Sequence, residues 1–304
     1  MNEVTTTKSK PKLSDEELRK LTKPAVPHDL LVSAVSEYYG RTTVIQQLDS
    51  YDDCNFLIEI DSTKYLLKIH NGVESADYIR NAGTSKIAFA NALYRHVSSN
   101  GLRTNVIFPV QNKCTVTITP QSIVHRIGDD EDDKVPVSCF LVKEGDDVAL
   151  HEFPVSSTAY YSSCVLAMQV FSWVEGTTMS SARALPIETI AKAGVFLGRL
   201  CGVLDDLPQP IPQAAHRYHA WNTMHTANLR SFISWIQDDH RRSMVESIIH
   251  AFENEILPNA HKFRTGVIHG DFNDANILLD DGNLNVVGVI DFGDSTFSWR
   301  IVDL

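Results

Sequence analysis

Val267-Ile268-His269-Gly270-Asp271-Phe272-Asn273-Asp274-Ala275-Asn276-Ile277-Leu278-Leu279, with Val286-Val287-Gly288-Val289-Ile290-Asp291-Phe292-Gly293-Asp294 close behind it, decides how this chain of 304 residues is read. Each stretch is an apolar run that hands a carboxylate to a turn. Asp271 falls on a loop, Asn276 follows five residues later, and Ile277-Leu278-Leu279 reads as a short strand. Asp280-Asp281-Gly282-Asn283 has turn composition, and its acids read as plain turn formers. A return strand then ends at Asp291. The expectation is two carboxylates and one carboxamide converging at one end of a hairpin; the alternative is a hairpin whose turn acids are merely solvated.

That ligand set suits phosphoryl transfer. Its transition state spreads charge over phosphate oxygens, so catalysis is mostly positioning and charge neutralisation. Mg²⁺ is hard and takes oxygen ligands, with phosphates and waters completing the octahedron. In this reading Asn276 and Asp291 hold the metal, and Asp271 accepts or orients the acceptor hydroxyl proton. The pattern is similar to a kinase catalytic loop followed by Asp-Phe-Gly, with His-Gly-Asp where a protein kinase has His-Arg-Asp. In that form it resembles the aminoglycoside phosphotransferase and choline-kinase-like superfamily, whose members phosphorylate small molecules. His269 is expected to brace the loop rather than carry protons.

Composition narrows the class. Hydrophobic residues make up 43% and charged residues 21%, an ordinary globular balance. A net charge of −11 disfavours a nucleic-acid partner and tolerates a cationic small substrate. No apolar run approaches the roughly 18 residues of a membrane helix. Residues 1–23 carry lysines, threonines and Asp15, Glu16 and Glu17 without an apolar core, so no signal or transit peptide is expected. Cys54, Cys114, Cys139, Cys164 and Cys201 show no paired spacing and read as reduced thiols of a cytoplasmic protein.

In chain order, residues 1–24 read as a flexible tail leading into a short polar helix, 25–174 as a small nucleotide-binding lobe with an insertion at about 128–165, and 175–304 as a large catalytic lobe. A helix is predicted over 29–39, then strands over 42–48, 55–60 and 64–70. The third strand carries Lys68, either a charge guarding a sheet edge or a phosphate-binding lysine. The turn Asp49-Ser50-Tyr51-Asp52-Asp53-Cys54-Asn55 holds no glycine. Ser50, Tyr51 and Asn55 are candidates to meet phosphate oxygens, while Asp52 and Asp53 are expected to face water or order the turn.

This segment sharpens the resemblance. Ser-Tyr-Asp-Asp-x-Asn-Phe, Leu-Leu-Lys-Ile, His-Gly-Asp-x-Asn-Asp-x-Asn-Ile-Leu and Asp-Phe-Gly-Asp together are similar to the hydroxylysine kinase branch of that superfamily, across most of residues 28–304. The resemblance implies a two-lobed, protein-kinase-like α+β fold, a small antiparallel sheet lobe before a mainly helical lobe. It implies transfer of the γ-phosphate of GTP, or of ATP, with Mg²⁺, to the hydroxyl of 5-hydroxy-L-lysine. Homoserine, choline or aminoglycoside kinases are the alternatives within the superfamily, and a non-catalytic nucleotide-binding protein is the alternative outside it.

The helix predicted over 84–100 should supply an acid to pair with Lys68, at about Ala88, and holds none. Residues 128–133 contain five acids and read as a solvated loop. A last strand over 165–174 brings Trp173 beside the nucleotide base, as a stacking or a packing residue. Helices follow over 186–204, 221–237 and 240–261, with His216-Arg217-Tyr218-His219-Ala220-Trp221-Asn222 as a possible acceptor-pocket wall. Only ten residues follow Asp294. The superfamily continues there with further helices, so a truncated large lobe is expected.

Overall fold

The computed structural model describes residues 14–124, 138–157, 161–182, 184–219, 221–282 and 284–303. The acidic block at 128–133 and the first half of the expected tail lie outside the described residues. The chain forms two compact units, one taking in the residues up to Gly83 with Ile107–Trp173, the other Thr84–Val106 with the residues from Val174 onward.

The first unit opens with helix α1 (Asp15–Leu21), whose cap Ser14 and first-turn partner Glu17 satisfy each other's backbone N–H groups. Helix α2 (His28–Tyr39) buries Leu31, Ala34, Val35 and Tyr38 at three- and four-residue spacing and stops at Gly40, which adopts φ +94°. Strands β1 (Thr42–Leu48), β2 (Cys54–Ile60) and β3 (Thr63–Ile69) follow, then helix α3 (Gly72–Asn81). Helix α4 (Lys86–Ser99) belongs to the second unit. Strands β4 (Ile107–Phe108), β5 (Cys114–Ile118), β6 (Ser138–Val142), β7 (Ala149–Pro154) and β8 (Ser163–Ser172) complete the first.

The main sheet runs β1-β2-β3-β8-β4, with β7 also on β8, all antiparallel; β5 and β6 form a separate ribbon. In β2 the residues Cys54, Phe56, Ile58 and Ile60 alternate inward, as a strand buried on one face demands. In β3 Leu67 and Ile69 take that face and Lys68 takes the other. Because β3 lies between β2 and β8, Lys68 is not an edge residue, which removes the sheet-guarding alternative.

The second unit adds strand β9 (Thr177–Thr178), helices α5 (Ile187–Asp205) and α6 (Asp239–Ala251), and strands β10 (Thr265–Ile268), β11 (Ile277–Leu279), β12 (Val286–Val289) and β13 (Thr296–Trp299). β11 pairs with β12 and β9, and β10 pairs with β13, all antiparallel. The expected hairpin is therefore present, and Asp280 closes its turn by accepting both the backbone and side-chain N–H of Asn285, at 2.7 and 3.0 Å.

Two expectations change. Residues Thr223–Trp235 wind as successive 3₁₀ turns rather than an α-helix. α6 ends at Ala251, passing through a π turn and a 3₁₀ turn whose start holds Pro258, since proline cannot donate the N–H that an α ladder needs there. No described helix is long and apolar enough to cross a membrane, and all five cysteines are free thiols.

Candidate active site

β10 drives the chain inward through Val267 and Ile268 and delivers His269 fully buried. The Asp271 N–H donates to His269 Nδ1 at 3.3 Å, so the imidazole proton lies on Nε2, which donates to the Ile290 carbonyl at 3.1 Å. Burial pushes the His269 pKa down, in keeping with a neutral ring, against the opposing pull of Asp303. His269 thus ties the loop carrying Asp271 to the end of the strand carrying Asp291, a brace as expected.

Gly270 explains the His-Gly-Asp triplet. Its φ is +83°, and a Cβ there would lie 2.3 Å from the Asp294 carbonyl oxygen. Only glycine combines that backbone with that close approach. Asp303 accepts the N–H groups of His269 at 2.7 Å and Gly270 at 2.8 Å from a buried position, clamping the loop from behind. Ser295 Oγ donates to the His269 carbonyl at 3.0 Å.

Asp271 is half-buried and leads the cluster. Its Oδ2 accepts from Asn276 Nδ2 at 2.7 Å and its Oδ1 from Asn273 Nδ2 at 2.7 Å. Burial, then the Asp294 carboxylate, raises its pKa, partly offset by the Asn276 hydrogen bond. Both Asn276 bonds use Nδ2, which leaves Oδ1 as a hard oxygen donor. Asp291 adopts φ +64°, an unusual conformation for a residue with a side chain, and its Oδ1 accepts the Gly293 N–H at 3.1 Å. The next residue is fixed too: the Phe292 N–H donates to Tyr94 Oη at 3.2 Å, and the two rings meet edge to face at 5.1 Å. An amide oxygen and a carboxylate of this kind fit Mg²⁺, which prefers such donors.

In the first unit Lys68 is 12% exposed at its side chain, and its Nζ lies 3.2 Å from Asp53 Oδ2. Asp53 does not face water: it is buried, and its Oδ1 accepts both the backbone and side-chain N–H of Asn71, the cap of α3. Strand register sets Asn55, Lys68 and Gln169 in one polar row across β2, β3 and β8, and Asn55 Oδ1 is buried with no hydrogen-bond partner among the described residues. Asp53, His70 and Glu74 bring ligand atoms within 4.8 Å of one another, but Lys68 and Arg19 already supply the cations of that cluster. Lys23 Nζ donates to the carbonyls of Ser50 and Tyr51, at 2.6 and 3.0 Å, and lines a pocket of about 280 Å³ with Gln47, Leu48, Asp49, Ser50 and Asp53. The Tyr51 hydroxyl turns to α1 and donates to Glu16, and its ring is 67% exposed. Trp173 is half-buried just past β8.

Asp271 and Asn276 are thus brought into direct contact, with Asp291 near enough to act on the charge of Asp271. The sequence does not give the parts played by Asp53, Asp303 and Tyr94, and it names His219 only within a possible acceptor-pocket wall. His219 Nε2 faces Asp294 Oδ1 at 2.9 Å, and Asn222 is buried, donating to the Phe297 carbonyl and accepting from Ser298 Oγ. Asp303 carries no local signal, since its duty exists only once β10 and the chain end meet.

A profile described as phosphotransferase enzyme family matches residues 44–304. Hydroxylysine kinase of Xenopus laevis is 26% identical over 300 residues, covering 93% of this chain and 68% of that protein. Hydroxylysine kinase of Mus musculus is 22% identical over 299 residues, covering 93% and 68%. Among solved structures, the GDP complex of an aminoglycoside 2′-phosphotransferase superposes with a TM-score of 0.56 at 13% identity, covering 91% of this chain and 75% of that one. Spectinomycin phosphotransferase with ADP and spectinomycin gives 0.52 at 11%, covering 92% and 72%. These likenesses establish the kinase-like two-lobed fold.

Proposed function

The chain belongs to the phosphotransferase enzyme family, and from that membership we propose that it transfers the γ-phosphoryl group of a nucleoside triphosphate to the side-chain hydroxyl of 5-hydroxy-L-lysine. The observation that carries the chemistry is the Asp271–Asn276 pair, held at 2.7 Å on a loop braced from two sides. The acceptor is supported by similarity to hydroxylysine kinases along 93% of the chain. The donor is taken as GTP, with ATP as the competitor to be tested. Reduced, scattered cysteines favour a cytoplasmic setting.

In this mechanism Asp271 orients the acceptor hydroxyl and takes its proton as the oxygen bonds to the γ-phosphorus. The bond from that phosphorus to the bridging oxygen of the β-phosphate breaks, and the nucleoside diphosphate leaves. Asn276 and Asp291 would hold Mg²⁺, which when bound neutralises phosphate charge. Lys68 is assigned to a phosphate oxygen, while Ser50, Asn55 and Trp173 are assigned to the nucleotide. His269 keeps Asp271 aimed without exchanging protons.

Transfer of labelled γ-phosphate from GTP and from ATP is measured with 5-hydroxylysine, homoserine, choline and an aminoglycoside as acceptors. The expected result is preferential labelling of 5-hydroxylysine, lost by a factor of at least about 10³ in Asp271→Asn with nucleotide binding retained. Full turnover in that variant would falsify the role of Asp271, and preference for another acceptor overturns the substrate.

A further inference from the structure

A lysine that serves phosphate must be aimed, and a nearby carboxylate is the usual means of aiming it. The helix over 84–100 has no acid, and the structure shows that it belongs to the second unit. The helix that directly follows the Lys68 strand is α3 instead. A carboxylate that stands at Lys68 comes from the turn between β1 and β2: Asp53 Oδ2 lies 3.2 Å from Lys68 Nζ, with the two side chains 8% and 12% exposed.

The two oxygens of Asp53 divide their work. Oδ1 takes two hydrogen bonds from Asn71, which in turn caps α3 by accepting from the N–H groups of Val73 and Glu74. Oδ2 faces Lys68. The carboxylate is therefore fixed by backbone that does not depend on the ion pair. Around it, Arg19 of α1 bridges Asp52 at 3.0 Å and Glu74 at 2.8 Å, and His70 presents Nδ1 to Glu74 at 3.2 Å and Nε2 to Gln169 at 2.9 Å. Arg19 meets the two neighbouring acids, while Asp53 Oδ2 stands closer to Lys68, at 3.2 Å, than to His70 Nδ1, at 4.0 Å.

We propose that Asp53 is a positioning residue for Lys68, supplying a counter-charge from the β1–β2 turn, and that Arg19 of α1 and Lys23 just past it hold this turn in place. The inference rests on the phosphate role of Lys68 in the reading above. The Tyr-Asp-Asp-x-Asn-Phe turn then has a physical meaning: its second Asp aims Lys68, its Asn lies beside Lys68 in the strand register, and its first Asp takes Arg19.

The test is a double-mutant cycle on the full chain, using wild type, Asp53→Asn, Lys68→Met and the double variant. Each is assayed for kcat and nucleotide KM with the best acceptor, and titrated with fluorescent GTP and ATP analogues. A positioning role predicts that Asp53→Asn lowers kcat by about 10–100-fold while KM moves by less than about threefold, and has no further effect once Lys68 is Met. Equal losses in both backgrounds, or none in either, overturn the inference. If wild type binds nucleotide but labels no acceptor, the kinase reading fails by itself. The pair is then judged by structure alone. If a variant does not fold, a crystal structure of the wild type with nucleotide decides. Lys68 still on Asp53 upholds the proposal, and Lys68 paired elsewhere with Asp53 turned away overturns it.

Discussion

Asp271 and Asp303 show how one side-chain chemistry serves two purposes. Asp271 is half-buried, with a pKa raised by burial and by Asp294, as suits a group that handles a proton. Asp303 is buried and spends both oxygens on backbone N–H groups of the loop that carries Asp271. Asp303→Ala strands those two donors, and urea unfolding should show a loss of about 2–4 kcal/mol. Asp303→Asn keeps one acceptor and should lose roughly half as much. In both variants kcat should fall more than the nucleotide affinity, because the loop loses its aim before its fold. An Asp303→Ala protein of wild-type stability and rate would show that the clamp is idle. Asp271, Asn276 and Asp291 were legible in the sequence because their spacing is a local property of one hairpin. Asp303 was not, because its partners lie more than thirty residues away.

At the level of elements, α2, β1, β2 and β3 were foreseen to within about two residues; α2 and β2 bury a clear stripe, whereas β1 buries only Thr42. α5 was foreseen in extent, but not every apolar residue on it faces the core. Ala193, Phe196 and Leu200 are buried, while Ile190 and Val195 are 54% and 66% exposed, Val195 pointing opposite to Ala193 on a helix of 100° per residue. α1, the short polar helix expected before Pro24, is capped, and its Arg19 joins the β1–β2 turn to α3.

Burial raises the Asp52 pKa, Asp53 and Glu74 raise it further, and Arg19 opposes them. A carboxyl whose folded pKa is raised costs stability above that pKa, and the cost vanishes as pH falls toward the unfolded value. Arg19→Ala removes the opposing cation and should destabilise the protein by about 1–3 kcal/mol at pH 7. The deficit should shrink toward pH 4 as the carboxyls take up protons. A deficit equal at both pH values in urea titrations would mean that Arg19 acts through packing alone. Nucleotide KM should rise in the same variant.

For the whole molecule, a nucleotide that binds only the native protein stabilises it by mass action, by about 2.7 kcal/mol at a hundredfold excess over Kd. Melting curves with GTP and with ATP, each with Mg²⁺ and with EDTA, should show a larger rise for the true donor and a smaller one after chelation. Equal shifts for both nucleotides would remove GTP preference, and a shift indifferent to EDTA would remove the metal assigned to Asn276 and Asp291. The sequence by itself determined the family, the hairpin and the spacing of the residues proposed to react, because Asp271, Asn276 and Asp291 fall within one short segment whose pattern survives as a string. It also showed that the stretch 84–100 holds no acid. Only the tertiary structure decided that Asp53 stands at Lys68, that Asp303 clamps the catalytic loop and that Tyr94 holds the backbone after Asp291. Those contacts join segments far apart in the chain, and burial of a charged or polar group becomes favourable only when its partner arrives. No local pattern records that arrival.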